Sequence, residues 1–143
     1  MFKSILLPID LSAPASWSKA LPTALNMAKT SGGVLHVITV VPDFGLSVVG
    51  TFFEEGFEAK AMHKVGEDLT AWVNAHVGDG VEVHPHVVHG RVYEQIMEAA
   101  DKLGVDLIVM GSHTPELSDY LLGPNAARVV RHARQSVFVV RGE

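Results

Sequence analysis

The chain has 143 residues, 48% of them hydrophobic and 19% charged, with a formal net charge of −5 and no cysteine. That composition suits one folded domain with a sizeable core and argues against disorder. The acidic balance excludes a nucleic-acid binder working through clustered positive charge, and the missing thiols exclude disulfides, cysteine nucleophiles and thiolate zinc sites.

The first apolar run, 2–7, stops at Pro8 and Asp10. It is too short for a secretory core or a membrane span, so the expected location is the cytoplasm, with no membrane partner. As a short β-branched and aliphatic run it predicts a strand buried on both faces, as do 34–41, 106–110 and 136–140. Between the first two, Trp17, Ala20, Leu21, Ala24, Met27 and Ala28 make a helical stripe. Ser16 is its candidate N-cap, and Gly32-Gly33 its stop; Pro22 bends it or moves its start downstream. The stretch 42–53 is irregular and long for a compact domain, as a lid or an oligomer contact is.

Phe57, Ala61, Val65, Leu69, Trp72 and Val73 mark a second helix, and 81–89 alternates apolar and polar residues as a strand with one wet side. Pro85 lacks the ladder amide and places that strand at an edge. His84 and His86 share one face of it. Two imidazoles at that spacing chelate a metal only if a third ligand arrives from elsewhere, so a solvated edge is the plainer reading. Val92, Ile96, Ala99, Ala100 and Leu103 mark a third helix; Leu122, Ala126, Val129, Val130 and Ala133 mark a fourth. Arg128, Arg131, Arg134 and Arg141 are spaced along that last helix and beyond it, as on a solvated face.

Strands alternating with helices predict a doubly wound, three-layer α/β/α sandwich around a parallel sheet. In such folds ligands settle outside the carboxyl ends of the strands. The residues there are Pro8-Ile9-Asp10-Leu11-Ser12, Thr39-Val40-Val41-Pro42 and Met110-Gly111-Ser112-His113, with Gly123-Pro124-Asn125-Ala126 opening the last helix. Gly111 and Gly123 leave room for a phosphate near backbone amides, and a helix N-terminus favours an anion. No Walker lysine follows a glycine-rich turn, and no nucleophile, base and orienting group occur together, so the chain reads as a binder and not an enzyme.

Several stretches together are diagnostic: Ile5-Leu6-Leu7-Pro8-Ile9-Asp10 with Ser12, Gly90-Arg91-Val92, Asp106-Leu107-Ile108-Val109-Met110-Gly111-Ser112-His113, Leu121-Leu122-Gly123 and Ser136-Val137-Phe138-Val139-Val140. With them the chain resembles the universal stress protein family over essentially its whole length. The resemblance implies five parallel strands in the order 3-2-1-4-5, the adenine nucleotide alpha hydrolase-like arrangement, and a homodimer through the last strand. It implies ATP as ligand, with AMP or ADP as alternatives and any Mg²⁺ held by the phosphates. Adenine would lie near Asp10 and Val40, with Pro8, Ile9 and Met110 lining the site. Asp10, Ser12, Gly111, Ser112 and His113 would meet ribose and phosphates, and Gly123, Pro124, Asn125 and Ala126 the outer phosphates.

Three departures from the family's phosphate loop stand out. Thr114 replaces its second glycine, and Pro124 its serine or threonine, with eight rather than nine residues before Gly123. Pro124 brings neither amide nor hydroxyl, which costs about 1.5–3 kcal/mol for one charge-assisted hydrogen bond. A branch of the family shares Pro115, the shorter gap and the Leu-Leu-Gly-x-Asn-Ala pattern, and this chain looks like that branch. The function expected is a nucleotide-binding stress sensor or regulator acting on a protein partner; the rival is an interaction module that needs no nucleotide.

Overall fold

A computed structural model describes residues 2–42, 57–112 and 124–141. The chain runs β1 (Ser4–Pro8), a 3-10 turn (Pro14–Ser16), α1 (Ala20–Ser31), β2 (Val34–Pro42), α2 (Phe57–His76), β3 (Glu82–Gly90), α3 (Val92–Leu103), β4 (Leu107–Ser112), α4 (Pro124–His132) and β5 (Ser136–Arg141). The five strands form one parallel sheet in the order β3-β2-β1-β4-β5. Both the sandwich and the strand order are therefore as expected, and β3, with its Pro85, is an edge.

Each face of the sheet carries its own core. Ile5, Leu7, Leu35, Val37, Leu107 and Val109 pack with Leu21, Ala24, Leu69 and Trp72 of α1 and α2. Leu6, Ile38, Ile108 and Met110 pack with Ile96, Ala100, Ala126 and Val129 of α3 and α4. Central strands are buried on both faces, which is why they read as unbroken apolar runs. Among the described residues no helix is long and apolar enough to cross a membrane. Arg128, Arg131, Arg134 and Arg141 are all exposed.

Two local readings change. Ser16 does not cap α1: the helix starts at Ala20, its N-cap is Lys19 and no side chain caps it. Pro22 explains the shift, because it sits in the first turn, where its missing amide has no intrahelical partner to lose. The buried Ser16 ends the preceding 3-10 turn and bonds elsewhere. The glycine stop of α1 holds: Gly32 takes φ of 66°, the left-handed closure that a side chain resists, and Gly104 closes α3 at the same φ.

Candidate functional site

The strands do not end level. Pro8, the last residue of β1, pairs with Ile38, while β2 continues to Pro42. On the other side Leu6 pairs with Ile108, and β4 continues to Ser112. The central strand therefore stops short of both neighbours at the carboxyl edge, leaving a notch walled by β2 and β4. This is also where the chain's crossovers diverge, β1 to β2 on one side and β3 to β4 on the other, the switch point at which open α/β sheets bind ligands.

The floor of the notch is the turn after β1, and its shape follows from short-range hydrogen bonds. Asp10 Oδ1 accepts from the Ser12 amide at 3.0 Å and the Ser12 hydroxyl at 2.7 Å, closing an Asx turn. The Asp10 amide donates to Ser16 Oγ at 2.9 Å, and that hydroxyl lies within 3.2 Å of the Asp10 carbonyl. Ser16 is fully buried, so this exchange satisfies groups that water does not reach. Trp17 then anchors the turn, packing edge-on to Trp72 at 5.3 Å and to His76 at 4.6 Å. On the β2 side, Thr39 Oγ1 donates to the Ile9 carbonyl at 3.0 Å, and the Ile9 amide donates to the Ile38 carbonyl at 2.9 Å.

These contacts sort the expected site residues. Asp10, Val40 and Ser112 are partly exposed, and Ser12 is exposed, along one edge. Pro8, Ile9, Met110 and Gly111 are buried. Ile9 has its amide and carbonyl engaged within the chain, so it supports the site without offering free backbone groups. Gly111 has a different reason for being glycine than phosphate room. A β-carbon there would stand 2.6 Å from the Ser16 carbonyl oxygen, so the face without a side chain is filled by the 3-10 turn. Asn125 is partly exposed and Ala126 buried at the start of α4. His113, Thr114 and Gly123, the Pro124 side chain and the stretch 43–53 lie outside the described residues. The sequence marks Ser16 as a helix cap and Thr39 only as a residue at the strand end, and it gives neither a role in the site. A buried hydroxyl within a few residues of a strand end is their signal, but the sequence does not show which hydroxyl is buried.

A second cluster lies on the sheet face that packs on α3 and α4, toward the amino ends of β2 and β3. His36 pairs in register with His84 across the strands, and its Nδ1 stands 2.9 Å from His86 Nε2. Burial, then the nearness of His86 and His84, lowers the His36 pKa from its ordinary 6.5, against a smaller upward pull from Glu82. His86 is lowered by burial and then by His84.

Comparison with known proteins agrees with this architecture. A family model described as the universal stress protein family matches residues 1–141. Universal stress protein G of Escherichia coli O157:H7 is 34% identical over 143 residues, covering 99% of this chain and 100% of that protein. Among solved structures, the protein MJ0577 is 26% identical with a TM-score of 0.72, covering 100% of this chain and 98% of that one. Two more distant ones share the fold. A universal stress protein in complex with cAMP is 19% identical with a TM-score of 0.60, covering 99% of this chain and 98% of that one. One from Archaeoglobus fulgidus in complex with dAMP is 18% identical with a TM-score of 0.67, covering 97% of each.

Proposed function

Since the chain belongs to the universal stress protein family, we propose that it binds an adenine nucleotide, ATP foremost, in the notch above β1, and acts as a homodimeric sensor or regulator. The observation that carries this reading is the short central strand, which among the described residues leaves β2 and β4 extending past the turn at Asp10. Adenine fits beside Val40 and Asp10, and the ribose and first phosphate beside Ser12 and Ser112. Gly123 and Asn125 serve the outer phosphates at the N-terminus of α4, where free amides favour anions. Mg²⁺ would ride on those phosphates, as it commonly does. The solved relatives in complex with cAMP and dAMP support an adenine nucleotide of some kind.

The role is binding, not turnover. Asp10, the acid at the edge, commits one carboxylate oxygen to both groups of Ser12, which suits positioning. Edge strand β5 is the dimer surface. Its Phe138 is 43% exposed, and Val130 on the adjacent α4 is 52% exposed, an apolar edge that a two-fold partner would cover. The output is then a change in contacts with a protein partner in the cytoplasm.

Titration calorimetry with ATP and Mg²⁺ tests the reading. Binding is expected, and a ligand at 100 times its dissociation constant should raise stability by about 2.7 kcal/mol. Gly123→Leu should abolish the heat while circular dichroism stays native; undiminished binding in that variant contradicts the phosphate site. A nucleotide-independent interaction module is the second reading, favoured by Pro124 at the phosphate loop and by the turn that fills the side-chain face of Gly111. No heat at millimolar nucleotide would leave that reading alone.

A further inference from the structure

The histidine cluster is at the far end of β2 from the notch. His36 and Val40 are four residues apart on one strand, roughly 13 Å at about 3.3 Å per residue. Sequence spacing alone pairs His84 with His86 on one face of β3 and leaves the third ligand open. The fold supplies it. Register places His36 directly opposite His84, and the ring centroids of His36 lie 5.4 Å from His84 and 5.1 Å from His86.

From this proximity we propose that His36, His84 and His86, once their rings reorient, form a binding site for a divalent transition metal of the imidazole-preferring kind, with Zn²⁺ as its test ion. Three imidazoles on two adjacent strands match the ligand type and number that zinc takes when it keeps one open position. As placed, no group of three or more His, Cys, Asp or Glu side chains among the described residues is arranged to hold a metal ion, so the rings have to move. The change needed is small for the closest pair. Two nitrogens each about 2.0–2.1 Å from a tetrahedral ion lie about 3.3 Å apart, against the present 2.9 Å between His36 Nδ1 and His86 Nε2. A shared cation would replace the shared proton of that hydrogen bond.

His84 lies stacked on His36, with 27° between the ring planes, so it completes the set by turning its half-exposed ring, with the exposed Glu82 side chain following to keep its hold. Its Nε2 is already held by Glu82 Oε2 at 2.7 Å. Metal-bound histidines commonly have one nitrogen held by a carboxylate, which fixes the tautomer and leaves the other nitrogen to the ion. Across from the cluster, α3 contributes Gln95, Glu98 and Lys102 to a pocket of about 150 Å³ beside His86. Glu98 on that side is paired with Lys102 Nζ at 2.7 Å, so the two add no net charge.

The test is calorimetric titration of Zn²⁺ into the full chain after treatment with EDTA and its removal, without nucleotide. One Zn²⁺ per chain is expected, and His84→Asn and His86→Asn should each weaken it at least about tenfold. His63→Asn should leave it unchanged, because the exposed His63–Glu67 pair on α2 is the competing surface ligand. His36 is partly buried, so its part is read in the unaltered protein from imidazole ¹⁵N shifts, which should report coordination at His36, His84 and His86. Absence of Zn²⁺ binding, affinity that survives His84→Asn and His86→Asn, or coordination shifts confined to other histidines would overturn the site.

Discussion

At the carboxyl end of β2, residues 40–42 run past β1 and border the notch; at the amino end, His36 holds out a side chain to His84 and His86. The first region is shaped by strand length and by a turn whose own amides and hydroxyls fix it. The second is shaped by which residue types stand on one face of an already formed sheet. A backbone-built site is thus bound up with folding, so damage to it shows as lost stability. A side-chain-built site can be removed while the sheet stays as it is.

The largest expected effect breaks the first region. Gly111→Val places carbon against the Ser16 carbonyl, which the turn relieves only by moving, and overpacking of this kind costs about 3 kcal/mol. Urea unfolding should show that loss; a midpoint equal to wild type would mean the turn is not pressed on β4. Ser16→Ala strands the Asp10 amide in a buried place, for about 1–2 kcal/mol, within the usual range for an orphaned group. Thr39→Val keeps the shape and removes one hydrogen bond to Ile9, for about 1 kcal/mol, and nucleotide affinity should fall with it if the notch depends on that tie. Equal stability and affinity in both hydroxyl variants would deny the turn its supporting role.

The smallest effect belongs to the histidine end and follows from proton linkage. Burial and mutual proximity lower the folded pKa values of His36 and His86 below 6.5, so the unfolded chain binds protons more readily. The stability they contribute is therefore complete above pH 6.5 and is lost as pH falls from 6.5 through the lower folded values. Among facing groups, His84 lowers both and Glu82 opposes the shift at His36, while Glu98 and Lys102 of α3 stand beside His86 as an ion pair. Urea midpoints measured in EDTA from pH 8 to pH 5 should fall on the acid side, and His86→Asn should flatten that fall. A steeper fall in the variant would reverse the sign.

The sheet was legible because its central strands are buried on both faces, and apolar runs such as Ile5-Leu6-Leu7 have no polar alternation to confuse them. The edge position of β3 was legible from Pro85 alone. The start of α1 was less so. Ser16 has the composition of a cap, but its hydroxyl was claimed by the Asp10 backbone six residues earlier, a competition that only the folded turn reveals. Gly111 teaches the same lesson: the sequence marks a place where a side chain does not fit, and the structure says that the obstacle is the chain itself. His36 was hidden because cross-strand register between residues 48 apart is not written in local spacing.

Amide shifts on adding ATP and Mg²⁺, followed by two-dimensional ¹H–¹⁵N NMR, test the central claim most directly. Movement is expected at Asp10, Ser12, Val40, Gly111, Ser112 and Asn125, with the amides of His36, His84 and His86 unmoved. Shifts centred on the histidines, or a spectrum unchanged at millimolar ATP, would contradict nucleotide binding in the notch above β1.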